Sequence, residues 1–222
     1  MEIIRNLVLP GKYSIKCPYT MTPEFIVVHN TANDASARNE IAYMISNNNQ
    51  VSFHYAIDDK EIVQGIPENR NAWHAGDDKN GEGNRKGIGI EICYSKSGGQ
   101  RFIEAEKLAA KFIAYKLNEK GWGIDKVKKH QDFSGKYCPH RTLDMGWQRF
   151  LDMVQAELNK LKEENKIRLE INGKLRLVNG YFKEGKSYIK INNIDIPLKD
   201  VGHALGFKVG WNEKTKTVVF ND

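Results

Sequence analysis

The hydrophobic pattern changes period along the chain. Residues 25–30, FIVVHN, are a near-continuous apolar run, the pattern of a strand buried on both faces. Over 35–48 apolar side chains recur every three or four positions, at Ala37, Ile41, Met44 and Ile45, which predicts a helix with Asp34 or Ser36 as N-cap. SFHYAI and EIVQGI flank Asp58-Asp59-Lys60, a hairpin signature. A polar, glycine-rich loop over 76–87 leads into GIGIEICY, a further strand. Leu108, Phe112, Ile113 and Leu117 mark one stripe of a helix from Glu104 to Glu119, and Gly121 supplies a left-handed C-cap. Trp147, Phe150, Leu151, Val154, Leu158 and Leu161 form a last amphipathic stripe, which stops in the polar run KEENK.

From Ile167 the period becomes two. IRLEI, KLRLV and SYIKI alternate apolar and polar residues, with NGK, NGY and EGK as turn signals between them. PLKDVGHALGF reads as a short helix, with Pro197 near its start and Gly206 near its end, and TVVF as a closing strand. The chain therefore divides into an α/β domain over 1–161, a solvated linker at 162–166 and a small α+β domain over 167–222 with about five strands and one helix. A unit of that size has a marginal core of its own.

Composition narrows the function. The chain has 222 residues, of which 40% are hydrophobic and 28% charged, the profile of a soluble globular protein. No apolar run approaches the roughly 20 residues of a membrane span, so no membrane insertion is expected. The N-terminus lacks a basic start, an apolar core and a small-residue cleavage site, so no secretory signal is expected and synthesis ends in the cytoplasm. Three scattered cysteines, Cys17, Cys93 and Cys138, exclude a disulfide framework. The net charge of +6 suits an anionic partner such as a cell-wall polymer. No dense Lys/Arg cluster or nucleic-acid motif is present, which argues against nucleic acid. Residues 167–222 hold 10 basic and 6 acidic residues, hence +4; the remaining 24 basic and 22 acidic give +2.

The richest chemistry lies in HQDFSGKYCPH, residues 130–140. Imidazole and thiolate are natural zinc ligands, and His130 and Cys138 flank a glycine-containing loop. A third ligand from a distant strand would leave the open fourth position of a catalytic site, and His29, at the end of the FIVVHN strand, is the candidate. Taken singly, each has a plainer explanation: a buried, satisfied imidazole for either histidine, a small buried hydrophobe for the cysteine. In GIGIEIC, Ile88, Ile90 and Ile92 share one face and Gly89, Glu91 and Cys93 the other. The isoleucines read as core, and Gly89 leaves room on the face from which Glu91 can reach a groove.

FIVVHNTA, SFHYAID, AWHAG, GIGIEI and HQDFSGKYCPHR, in this order, resemble the zinc N-acetylmuramoyl-L-alanine amidases, a family that includes phage endolysins and is related to the peptidoglycan recognition proteins. The resemblance covers residues 20–160 and implies a central mixed β-sheet flanked by helices, with a shallow groove at the metal. It implies one zinc ion per chain on His29, His130 and Cys138, with Glu91 as the catalytic acid/base and Lys136, in the GK-x-CP pattern, as a positive donor beside the metal. It implies a substrate-facing wall that includes Trp73, His74, Asn30 and Phe53. The expected function is that of a hydrolase, an endolysin-type amidase acting as a monomer on host peptidoglycan after release.

One departure matters. Some family members carry a catalytic tyrosine before the histidine of SFHYAID; here that position is Phe53, which has no proton to move. Strand alternation puts Tyr55 on the same face, as a substitute, and the burden shifts to Glu91. His54 is expected in the groove or in a structural role, and His140 has no spacing that favours it as a ligand. Two rival functions remain: a peptidoglycan-binding module without catalysis, which commonly lacks the cysteine ligand, and a cysteine peptidase using Cys138 and His130, which needs a cysteine near a helix N-terminus. The C-terminal segment is similar to the copper amine oxidase N-terminal-like domain of bacterial surface proteins, a resemblance that implies no copper site and leaves His203 an ordinary residue. Its expected role is attachment to the wall, with Trp211, Tyr181 and Tyr188 read as core aromatics before sugar-stacking ones.

Overall fold

The computed structural model describes residues 1–164, 166–183, 185–191 and 194–222. It separates into two compact units, Met1–Leu158 and Asn159–Asp222. In chain order residues 1–164 carry β1 (Ile4–Arg5), α1 (Tyr13–Lys16), β2 (Phe25–Asn30), α2 (Ala37–Ser46), β3 (Tyr55–Ile57), β4 (Ile62–Gln64), α3 (Glu82–Lys86), β5 (Gly87–Ile92), α4 (Gly99–Lys120), β6 (Val127–Lys129), α5 (Gln131–Ser134), α6 (His140–Asp144) and α7 (Trp147–Glu164), whose last turns belong to the second unit.

The sheet has the order β1-β4-β3-β5-β2-β6. Only β3 and β4, the hairpin around Asp58, pair antiparallel; the other neighbours are parallel. Asp58 builds that turn, accepting from the backbone N–H groups of Lys60 and Glu61 through Oδ1, while its Oδ2 accepts from Ala37 at the start of α2. Ile26, Val27 and Val28 of β2 are fully buried, as the apolar run requires. Each such side chain contributes roughly 1.5–3 kcal/mol.

Ile90 of β5 stands in register with Tyr55 of β3, whose ring packs on Phe112 of α4 at 4.8 Å. The isoleucine face of β5 is therefore the α4 face. Phe102, Ala105, Ala109, Phe112, Ile113 and Leu117 cover it and are all buried. Gly121 ends α4 in the left-handed region, as the stripe predicted. The helix begins five residues before the expected Glu104, because Gly98 and Gly99, which read as loop, hold positive φ and start it. Ser36 caps α2, its side chain accepting from Asn39 at 3.3 Å. The polar loop expected over 76–87 contains α3. On α7, Phe150, Val154 and Leu158 are buried, and Arg149 pairs with the buried Glu106 of α4 at 2.7 Å.

The segment read as a solvated linker is helical through Glu164, and a strand begins at Lys166; Asn165 lies outside the described residues. The second unit holds β7 (Lys166–Ile171), β8 (Lys174–Lys183), β9 (Lys186–Ile191), β10 (Ile194–Pro197), α8 (Leu198–Ala204), β11 (Lys208–Asn212) and β12 (Thr217–Asn221). The strands form a sheet of order β10-β9-β8-β7-β12-β11, six against the five or so expected and two beyond the four segments read as strands. NGY is not a turn: β8 runs straight through it, and Gly180 is there because a Cβ would lie 2.3 Å from the Tyr188 carbonyl oxygen. The core is Ile167, Leu169, Leu198, Val218 and Phe220. The aromatics expected in that core are elsewhere. Trp211 is exposed, meeting the exposed Phe182 edge-on, and Tyr181 stacks on Tyr188 in half-buried positions. Among the described residues no helix is long and apolar enough to cross a membrane.

Candidate metal centre

Strands β2 and β5 lie side by side, with His29 opposite Glu91 in register. Paired residues point to the same face, so both stand on the face away from α4. His130 follows β6 directly and its N–H donates to the Val28 carbonyl of β2 at 3.3 Å. Cys138 lies between α5 and α6, and its carbonyl accepts from Gln131 at 3.0 Å. Asn30, at the tip of β2, accepts from the backbone N–H groups of Arg141 and Thr142 at 3.0 and 3.1 Å. The residue after His29 thus fixes the helix that follows Cys138.

These constraints bring together three side chains 101 and 109 residues apart in sequence. Nδ1 of His29 is 3.0 Å from Nδ1 of His130 and 3.9 Å from Sγ of Cys138. The three residues are buried, their donor atoms lie within 4.8 Å of one another, and together they can hold a metal ion. A tetrahedral zinc with bonds of about 2.0–2.1 Å to nitrogen and about 2.3 Å to sulfur sets its ligand atoms roughly 3.3–3.6 Å apart, so the residues fit that ion. Burial keeps the imidazoles neutral and ready to offer lone pairs: His29 is held well below 6.5, the neighbouring histidines adding to the effect, and His130 is lowered too, with Lys136 assisting. Burial, then the charge of Glu91, pushes the Cys138 thiol up to about 11. Only a cation close by turns such a group into thiolate at neutral pH.

Glu91 is half-buried as a residue, but its Oε2 is inaccessible and without a hydrogen-bond partner among the described residues. Burial, reinforced by Glu40 of α2 and opposed by Lys136, raises its carboxyl to about 8. An open groove of about 980 Å³ exposes this centre, with Phe53, Trp73 and the exposed Lys136 on its walls. Trp73 is fixed by its indole N–H, which donates to the Ile15 carbonyl at 2.9 Å. Asn30 and His74 also border the groove, but their polar atoms are committed inward. Asn30 is tied to α6, while His74 sits behind His29 with its Nδ1 3.0 Å from His29 Nε2 and its Nε2 3.2 Å from the Gly87 carbonyl oxygen.

Three side chains lie outside the centre. Tyr55 does not face the groove: residues 51–54 are not strand, so alternation does not carry back to Phe53, and the Tyr55 hydroxyl donates to Glu68 at 2.7 Å on the α4 side. His54 is structural, accepting from the Gly89 N–H at Nδ1 and facing the Arg70 carbonyl at Nε2. His140 reaches the Ser95 carbonyl at 3.3 Å. Two residues were missed. Asn84 accepts from the backbone N–H groups of both His74 and Ala75 at 2.8 Å. The fully buried Lys16 gives its ammonium to Asn47 Oδ1 and to the carbonyls of Asn49 and Val51 at 2.6–3.0 Å, anchoring the groove rim at Gln50 and Val51. No periodicity marks a buried lysine, and a lone asparagine in a polar loop gives no signal.

The family model described as N-acetylmuramoyl-L-alanine amidase matches residues 19–141. The chain is similar to the N-acetylmuramoyl-L-alanine amidase CwlA of Bacillus subtilis, 60% identical over 162 residues that cover 72% of this chain and 60% of that protein. It is 60% identical over 160 residues to the N-acetylmuramoyl-L-alanine amidase XlyB of the same species, covering 72% of this chain and 50% of that protein. The match therefore spans only half to three fifths of these relatives. Among solved structures it resembles PlyL, with a TM-score of 0.67 and 55% identity over 69% of this chain and 97% of that one.

Proposed function

The chain belongs to the N-acetylmuramoyl-L-alanine amidase family, and on that premise we propose that it hydrolyses the amide between the muramic acid lactyl group and L-alanine of peptidoglycan, with one zinc ion on His29, His130 and Cys138. The observation that carries this reading is the convergence of two imidazole Nδ1 atoms and a thiol sulfur on a groove that Glu91 also lines, with its Oε2 unpartnered among the described residues. Zinc held there would supply Lewis-acid polarisation and would lower the pKa of a water toward neutrality.

The chain's own residues do the rest. Glu91, whose carboxylate a cation held beside it would favour, accepts a proton from the attacking water and returns it to the amide nitrogen, which must be protonated to leave. The C–N bond breaks, a C–O bond forms, and the products are the lactyl acid and the L-alanine amine. Lys136 sets an ammonium beside the carbonyl oxygen as it becomes negative, a contribution of roughly 3–4 kcal/mol for one well-placed donor. Phe53 has no proton to give, and Tyr55 is turned away, so proton transfer falls to Glu91. A cysteine peptidase needs a thiol of lowered pKa; burial moves Cys138 the other way.

In the C-terminal unit, attachment to an anionic wall polymer rests on the +4 charge of residues 167–222; its cavity of about 930 Å³ is of mixed charge, with Lys186, Lys199, Asp200 and Glu213 beside Phe182 and Trp211. We read the protein as an endolysin-type, monomeric enzyme acting on the host wall. The test is digestion of purified cell wall, scoring new alanine amino groups against new reducing sugar ends. Alanine amines that vanish in chelator and return with zinc are expected. Reducing ends, or activity indifferent to chelator, would overturn the proposal.

A further inference from the structure

We propose that His74 is a positioning residue for the metal centre: it holds His29 in the one tautomer that turns a bare Nδ1 lone pair toward His130 and Cys138. The inference rests on the reading of His29 as a metal ligand. It starts from the carbonyl oxygen of Gly87, which can only accept. That oxygen lies 3.2 Å from Nε2 of His74, so Nε2 carries the proton. A neutral imidazole has a single N–H, so Nδ1 of His74 accepts. Nδ1 lies 3.0 Å from Nε2 of His29, so His29 donates from Nε2 and its Nδ1 is bare. The reverse arrangement would make His74 donate from both nitrogens and become a cation. His29 and His74 are 1% and 8% exposed, and neither imidazole has a hydrogen-bonded carboxylate partner to offset a buried charge.

The seat of the His74 ring is shaped for it. A Cβ on Gly89 would lie 2.8 Å from two carbons of the ring, so only glycine leaves the space. Asn84 holds the backbone of His74, accepting from its N–H at 2.8 Å. The Gly89 N–H is taken by His54 at 2.9 Å, which fixes the strand beneath the ring. The AWHAG and GIGIEI segments therefore act as one device. Gly87 supplies the fixed acceptor, Gly89 the space and His74 the relay, and the lone pair is set before any metal arrives. An outer partner of this kind orients a ligand imidazole and raises its basicity.

The test uses the full chain. In His74→Leu, which keeps bulk but has no acceptor, zinc affinity read by competition with a chromophoric chelator is expected to fall about ten- to a hundredfold. His74→Gln, whose amide can accept from His29 and donate to Gly87, is expected to recover most of the loss. Gly89→Ala moves the ring without deleting a polar group and is expected to weaken zinc as well, a second route should the leucine variant fail to fold. Long-range proton–nitrogen NMR of the metal-free parent should show His29 protonated at Nε2 and bare at Nδ1. A proton on His29 Nδ1, or parent-like affinity in His74→Leu, overturns the inference. If His29→Ala also binds zinc like the parent, the ligand reading fails instead, and the tautomer measurement still decides the role of His74.

Discussion

Replacing Glu91 by glutamine separates its chemistry from its cost to the fold. In the metal-free protein burial, with help from Glu40, raises the Glu91 carboxyl from 4.5 to about 8. A carboxyl that holds its proton more tightly in the folded chain than in the unfolded one contributes its full stability below the unfolded value. That stability is lost as pH rises through the folded value. The window here runs from 4.5 to about 8. At about 1.4 kcal/mol per tenfold change in proton affinity, the loss across it is on the order of 5 kcal/mol, which local relaxation and water entry reduce. Glutamine keeps the shape and cannot ionise. Metal-free Glu91→Gln should therefore be more stable than the metal-free parent near pH 8 by roughly 2–5 kcal/mol, and should match it below the window. Urea unfolding in chelator at both ends of the window reads the difference, provided the slope m is unchanged. Wall hydrolysis by the zinc-loaded variant should fall about 10²–10⁴-fold, the usual worth of a general acid–base group. If variant and parent lose stability equally across the window, the carboxyl is not held neutral by its surroundings and the reasoning fails.

On the proposed role beside the substrate oxygen, Lys136→Ala should lower kcat about 10²–10³-fold while zinc stays bound, since no ligand atom is removed; an unaltered kcat removes Lys136 from the chemistry. Asn30→Ala strands the N–H groups of Arg141 and Thr142, so thermal melts should show a loss of about 1–3 kcal/mol, and zinc should bind more weakly as the Cys138 loop loosens. Ending the chain after residue 165 should leave hydrolysis of soluble fragments intact and weaken lysis of whole walls; equal lysis of intact cells would count against a targeting role.

Much of the first unit was legible because its elements obey one period each. The FIVVHN run, the Asp58 hairpin, the stripe of α4 and its Gly121 cap all follow from local pattern, and so do the three isoleucines of β5. The residues that failed are those whose role is set by a partner distant in sequence. Gly180 reads as a turn until the carbonyl of Tyr188 is seen beside it. The space above Gly89 reads as groove until the ring of His74 fills it. Alternation from Tyr55 back to Phe53 assumes a strand that starts two residues later. In the small unit β10 and β11 went unassigned, since IDIP holds a proline and KVGWN carries a glycine between its apolar positions. Lys16 shows the limit most plainly: its three acceptors lie on a loop 31 to 35 residues away.

The register of β2 against β5 has a wider consequence. His29 and Glu91 stand opposite one another on one rung of a parallel ladder, so their backbones are a strand spacing of about 4.8 Å apart and that gap owes nothing to the loops. The segments that border the groove, around Gln50 and Asn80, are attached at the margins and can change length or sequence while that gap stays constant. Such an architecture lets the groove's periphery be rewritten while the spacing of its central pair of residues is inherited intact.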